Sequence, residues 1–147
     1  MNTTPSAESL NVVCPICTTK NRLPAQRATE EPHCGKCGAI LLPETPVALS
    51  DLNFERVVSG TDLPVVIDFY ADWCGPCRTM APQFARAAAD AKGRAMFVKV
   101  NSDASPATAA RFAVRSIPTV VRLKNGAEVD RFTGVRGAAE LVRFAVG

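Results

Sequence analysis

Residues 65–71, VVIDFYA, form a nearly unbroken apolar run with one carboxylate inside it, the pattern of a central strand covered on both faces. Met80, Phe84, Ala88 and Ala91 then recur at spacings of four, four and three, which puts them on one face of a helix running from just after Cys74 to about Lys92. Pro82 is expected to kink that helix. A second strand is predicted over 95–100. Ser105-Pro106 reads as an N-cap followed by proline at the first helical position, opening a helix to about Ala113. Segments 120–124 and 127–132 flank Asn125-Gly126, a strong signal for a two-residue hairpin, and 137–145 can form a closing helix. With a short helix over 51–58 in front, the order is helix, strand, helix, strand, helix, hairpin, helix. That order predicts an α/β domain whose sheet is mixed, with flanking helices and a right-handed crossover between its parallel strands.

The first 45 residues follow neither period. All nine aromatic residues lie at or beyond Phe54, whereas six of the eleven prolines lie within residues 1–46. Leu10, Val12, Val13, Ile16, Leu23, Ile40, Leu41 and Leu42 are too scattered to fold such a segment unaided, so it needs a covalent or metal staple. The chain therefore divides into a small module with its linker, 1–45, and a second domain, 46–147, joined by the stiff run Pro43-Glu44-Thr45-Pro46.

Composition removes several classes. At 47% hydrophobic and 21% charged over 147 residues, the chain is neither disordered nor fibrous. No run approaches the roughly 18 to 20 apolar residues of a membrane helix, so no membrane partner is expected. The opening MNTTPSAESL has no basic and no apolar stretch, so no secretory leader is visible and a reducing cytoplasm is the expected setting. The net charge of +3 is spread along the chain with no basic cluster, which argues against nucleic acid as a partner.

Four of the six cysteines supply the staple. Cys14-Pro15-Ile16-Cys17 and Cys34-Gly35-Lys36-Cys37 are separated by sixteen residues, giving C-x2-C-x16-C-x2-C. Each C-x-x-C turn presents two sulfurs to one point, two turns complete a tetrahedron, and Gly38 permits the tight turn after the second pair. One structural Zn2+ is the expected occupant. Two disulfides fit a reducing compartment poorly, and iron in a rubredoxin-like site is a minor alternative. His33 adjoins Cys34, but a complete four-cysteine set leaves it a loop residue.

Cys74-Gly75-Pro76-Cys77 differs in its position, at the start of the long helix directly after the buried strand. There a thiol faces unpaired backbone N–H groups and the positive end of the helix dipole, which favour thiolate. Cys74 is the expected nucleophile. Cys77, one turn on and more shielded, is the expected resolving thiol. A second metal site or a static disulfide is the plainer alternative.

The run Ala71-Asp72-Trp73-Cys74-Gly75-Pro76-Cys77 resembles the WCGPC active site of thioredoxins, and the resemblance spans 47–147. Asp68, Lys99, Ile117-Pro118-Thr119, Asn125-Gly126 and Gly134 fall in register with it. With the cysteine module in front, the chain resembles the zinc-containing thioredoxins of the thioredoxin 2 type. The resemblance implies a thioredoxin fold preceded by a zinc-ribbon-like module. It implies a protein disulfide reductase acting on oxidised substrate proteins and recharged by an NADPH-dependent thioredoxin reductase. It also implies that Asp68, modulated by Lys99, serves Cys77 as general base, and that Pro118 is cis and positions the substrate. Gly75-Pro76 places no charge between the cysteines, which points to a reductant. Trp73, Ile117, Pro118, Gly134 and Val135 would form the docking patch. Tyr70 and Arg78 depart from the commonest family pattern, which has tryptophan and lysine there. A competing class is a redox-sensing zinc-ribbon adaptor or chaperone whose thioredoxin domain mainly binds partners.

Overall fold

The structure, a computed structural model, describes residues 9–147. The opening stretch, in which no secretory leader is expected, lies mostly outside the described residues. The first element is a hairpin of β1 (Ser9–Val13) and β2 (Lys20–Pro24), antiparallel with Val13 opposite Lys20, and a 3-10 turn over Ala25–Thr29 follows. Then come β3 (Val47–Ala48), α1 (Phe54–Ser59), β4 (Val65–Tyr70), α2 (Gly75–Asp90) and β5 (Met96–Asn101). α3 (Pro106–Arg111), β6 (Thr119–Lys124), β7 (Ala127–Thr133) and α4 (Ala138–Val146) complete the chain.

Among the described residues the larger sheet has the order β3-β5-β4-β6-β7. β3 and β4 run parallel to β5, while β6 and β7 are antiparallel, so the sheet is mixed. β4 lies in its middle and alternates strictly. Val65, Ile67 and Phe69 pack on one face with Met96, Val98, Val100, Val121 and Leu123. Val66 packs on the other with Phe97, Val120, and Met80, Phe84 and Ala88 of α2. Both faces are covered, which is why the sequence of β4 reads as an apolar run and not as an alternation.

The first face is also where the four-cysteine module docks. Val12, Val13, Leu23, Ala28, Leu41 and Leu42 are buried in the same apolar cluster as Phe54, Val57 and Val58 of α1. The scattered apolar residues of the module thus share the second domain's core, while Ile16 stays 72% exposed. Polar contacts fix the register: Val13 N–H donates to Thr61 Oγ1 at 3.1 Å, and Asp62 accepts from the Asn11 backbone and side-chain amides at 2.8 and 3.1 Å. The linker is held as well, since Lys92 Nζ bridges Glu31 and Glu44 at 3.2 and 3.1 Å.

Three details differ from the sequence expectations. β3 is two residues long, too short to show any period. α1 starts at Phe54 and not at Asp51, because residues 51–53 form a turn in which Asn53 Oδ1 accepts from Ser50 N–H at 2.9 Å. Ser105 makes no side-chain cap; the start of α3 is capped across space by Asp51, which accepts from Ala107 N–H (3.1 Å), Thr108 N–H (2.8 Å) and Thr108 Oγ1 (2.6 Å). The Thr108 hydroxyl leads these bonds in holding the Asp51 carboxyl below its ordinary value.

Close approach of the two parts requires glycine at Gly93. Its φ is +80°, and an added Cβ would lie 2.6 Å from Thr29 Cγ2 and 3.0 Å from the Ala28 carbonyl. Gly93→Ala is expected to lower stability by about 2–3 kcal/mol, combining the conformational penalty with overpacking. Gly126→Ala, also at φ +80° but meeting nothing nearer than 3.6 Å, should cost only about 1 kcal/mol. Urea midpoints of the two variants check this, and equal losses would refute the close-packing account.

Candidate functional site

β4 ends at Tyr70 and the chain turns through Ala71–Trp73 into α2. Cys74 is the N-cap of that helix, in extended conformation, and its sulfur accepts the Cys77 N–H at 3.2 Å. Pro76 sits in the first turn, where its missing N–H costs nothing. The cysteines are disulfide-bonded here, with Cα atoms 5.3 Å apart. Both are only 3% exposed, so overall burial does not separate nucleophile from resolving thiol. Their surroundings differ. Cys74 Sγ lies 3.8 Å from the Ile117 carbonyl oxygen, beside exposed Trp73, whereas Cys77 forms a wall of a pocket of about 150 Å³ shared with Tyr70, Arg78 and Lys99.

Asp68 alternates onto the α2 side of β4 with Val66. It is fully buried, and neither carboxyl oxygen has a protein hydrogen-bond partner among the described residues. Burial pushes its pKa up to about 7, against a smaller opposing pull from the Lys99 charge. Lys99 is directly opposite Asp68 in the parallel register of β4 and β5, yet no ion pair forms between them. Its ammonium lies instead 4.4 Å from the centre of the Tyr70 ring. Asp68 is therefore not half of a buried ion pair with Lys99.

The peptide before Pro118 is cis. Pro118 is buried, its carbonyl accepts Gly134 N–H at 2.9 Å, and Gly134 at φ +95° has open space where a side chain would begin. Trp73 is 67% and Val135 45% exposed, with Ile117 half-buried against the cysteine pair. Two partners were not legible in the sequence: Asp103 accepts the Trp73 indole N–H at 2.8 Å, and the Asp72 carbonyl accepts from Arg78 at 2.6 Å. The first depends on a loop thirty residues away, which no local pattern reveals.

The other four sulfurs gather in the N-terminal module. The Sγ atoms of Cys14, Cys17, Cys34 and Cys37 lie within 4.8 Å of one another, with Cys14–Cys37 and Cys17–Cys34 each at 3.6 Å. A tetrahedron with metal–sulfur bonds of ~2.3 Å has edges of ~3.8 Å, so the cluster fits a tetrathiolate ion. The two turns are alike. Cys14 N–H donates to Thr19 O and Thr18 N–H to Cys14 O; Cys34 N–H donates to Ala39 O and Gly38 N–H to Cys34 O. Gly38 has the expected positive φ, +81°, but in the first turn Thr18 takes that conformation at +63°.

Backbone N–H groups of Ile16 and Cys17 point at Cys14 Sγ, and that of Lys36 at Cys34 Sγ, each at 3.4 Å. Asn21 ties the turns together, accepting Gly35 N–H at 2.9 Å and donating to Cys34 Sγ at 3.5 Å. The Cys37 N–H and then Asn21 pull the Cys34 thiol down to about 6. Cys37 moves the other way: the Ala39 N–H lowers it, but burial and the three neighbouring cysteines outweigh that and raise it to about 11. Four thiolates this close repel one another unless a cation lies between them. His33 is exposed and bridges Ile40 through its backbone, so it stays outside the sulfur set.

Comparisons with known proteins agree with this geometry. The thioredoxin family model matches residues 45–146, and the model of the N-terminal region of thioredoxin 2 matches residues 13–39. Thioredoxin C-3 of Corynebacterium nephridii is 43% identical over 133 residues, covering 90% of this chain and 91% of its own. A thioredoxin of Haemophilus influenzae is 42% identical over 96 residues, 65% of this chain and 90% of its own. Among solved structures, a mutant thioredoxin from Halobacterium salinarum NRC-1 superposes with a TM-score of 0.63 at 31% identity, covering 70% of this chain and 89% of that one. With a four-cysteine cluster in front of a cysteine pair that caps a helix, the chain belongs to the thioredoxin family and is a thiol–disulfide oxidoreductase.

Proposed function

We propose that the protein is a reductant of disulfides in oxidised proteins, with Cys74 as nucleophile and Cys77 as resolving thiol, and that one structural zinc ion holds its N-terminal module. The observation that carries this reading is the position of Cys74, whose sulfur accepts the Cys77 N–H at the mouth of α2. That bond and the helix dipole favour the thiolate.

In the reduced protein the Cys74 thiolate attacks one sulfur of a substrate disulfide. A mixed disulfide forms and the other substrate sulfur leaves as thiolate. Cys77 loses its proton and attacks Cys74 Sγ, so the second substrate sulfur departs and the protein keeps a Cys74–Cys77 disulfide. Two electrons pass to the substrate, whose two sulfurs leave as thiols once protonated.

Asp68, held near neutrality by burial, is suited to take the Cys77 proton through water, and Lys99 modulates it from the neighbouring strand. Pro118 positions the substrate, while Trp73, Ile117, Gly134 and Val135 offer it an apolar, open face with Gly75 and Pro76 exposed beside it. A thioredoxin reductase drawing on NADPH is the proposed electron donor.

Zn2+ on Cys14, Cys17, Cys34 and Cys37 would leave no open coordination position, so its contribution is to folding. Cys34→Ser is expected to lose the metal and to lower the thermal midpoint. Cys74→Ser should keep one equivalent of zinc while losing insulin-disulfide reduction. Metal analysis with a thermal melt distinguishes the two, and a metal-free wild-type protein of full stability would refute the structural role.

Cys77→Ser should accumulate a mixed disulfide with substrate proteins on non-reducing gels. Accumulation by Cys74→Ser instead would reverse the assignment.

Asp68→Asn should slow resolution of the mixed disulfide by on the order of tenfold to a hundredfold in stopped-flow measurements. It should also stabilise the fold. Folding raises this carboxyl from 3.8 to about 7, so its contribution is complete below pH ~4 and is lost as pH rises towards 7. Asp68→Asn removes that loss and should exceed the parent by on the order of 4 kcal/mol at pH 8, with little difference at pH 4. Parallel stability curves at the two pH values would contradict this.

A further inference from the structure

We propose that the cleft between the four-cysteine module and α1 binds a small phosphorylated anion. The cleft has a volume of about 570 Å³ and lies outside the redox site. Three cations from three separate segments line it: Lys20 at the start of β2, Lys36 in the second cysteine turn and Arg56 on α1. Thr18, Thr19 and Ser59 add hydroxyls, and no carboxylate contributes to the walls.

Among the described residues none of the three cations has an ion-pair partner. Arg56 is nevertheless held, donating to Thr18 Oγ1 at 3.3 Å across the junction of module and domain. The sequence concealed this arrangement because its members are sixteen and twenty residues apart along the chain.

Three unpaired like charges around one cleft repel, and an anion placed among them removes that repulsion. A tetrahedral dianion suits the donor set better than a carboxylate. The planar guanidinium fork and two ammonium groups can reach its oxygens from several sides, whereas the Thr18 and Ser59 hydroxyls already donate to the Cys17 and Glu55 carbonyl oxygens. A divalent ion on four thiolates carries two negative charges, and Cys17 forms part of the cleft wall. The three cations exceed that charge by one, so the cleft keeps a net positive balance when the metal is bound. A bound phosphate would touch both parts of the molecule and tighten their junction.

The test uses the full-length, metal-loaded protein, titrated calorimetrically with fructose 1,6-bisphosphate and with inorganic phosphate, and with citrate as the carboxylate control. Metal content is measured before and after. Saturable one-to-one binding of a phosphate compound is expected, weakened about tenfold by Arg56→Gln and by Lys20→Gln, and weakened again by raising salt to about 0.15 M. Amide resonances of Thr18, Lys20, Ser59 and Gly60 should shift, with insulin reduction by the variants unchanged. No saturable binding, equal affinity for citrate, or undiminished affinity in both variants would overturn the proposal. If Arg56→Gln only sheds metal faster and the parent binds no phosphate, the cations serve the metal centre and the anion site does not exist.

Discussion

The redox site depends on the burial of β4 on both faces. A strand covered by α1 and the cysteine module on one side and by α2 on the other has no solvated face on which to put a carboxylate, and Asp68 lies on it nonetheless. Burial among apolar side chains costs the ionised form hydration, and the carboxyl takes up a pKa near neutrality in consequence. The same strand ends where α2 begins. One covered strand therefore delivers both the buried carboxyl, beneath α2, and the helix N-terminus that carries Cys74.

The cysteine module contributes to that burial. Cys14 and Cys34 belong to the same apolar cluster as Ile67, Phe69 and Val98, so the four-sulfur centre and the redox strand are joined through packed side chains. A short segment without aromatic residues gains in this way what it cannot build alone: part of its core is borrowed from the sheet, and its four sulfurs converge in a cluster that fits a single metal ion. The two sulfur groups keep distinct chemistry because their backbones differ. Those of the module sit in tight turns whose N–H groups converge on single sulfurs, whereas Cys74 and Cys77 share the first turn of a sixteen-residue helix.

Much of this was readable in the amino-acid order. β4, α2, the Asn125-Gly126 hairpin and both groups of cysteines carry their signals within a few neighbouring residues, where period, turn chemistry and motif spacing act. What escaped was tertiary. Asp51 caps α3 from more than fifty residues away, Asn21 links the two cysteine turns, Asp103 holds Trp73, and Lys99 turns from Asp68 to the Tyr70 ring. Each pairing is created by folding, and none has a local pattern. The module's apolar residues were visible singly, but their convergence on Val57 and Val58 was not, because their spacing follows the docked surface and no single helix or strand.

The most direct test of the account is the titration of the Asp68 carboxyl itself, followed by carbon NMR of aspartate-labelled protein with Asp68→Asn used to assign the resonance. A midpoint near 7 is predicted, set by burial without a hydrogen-bond partner. A midpoint at the ordinary value near ~4 would mean that the carboxyl is solvated or paired, and the link drawn here between the covered strand and proton transfer at Cys77 would fail.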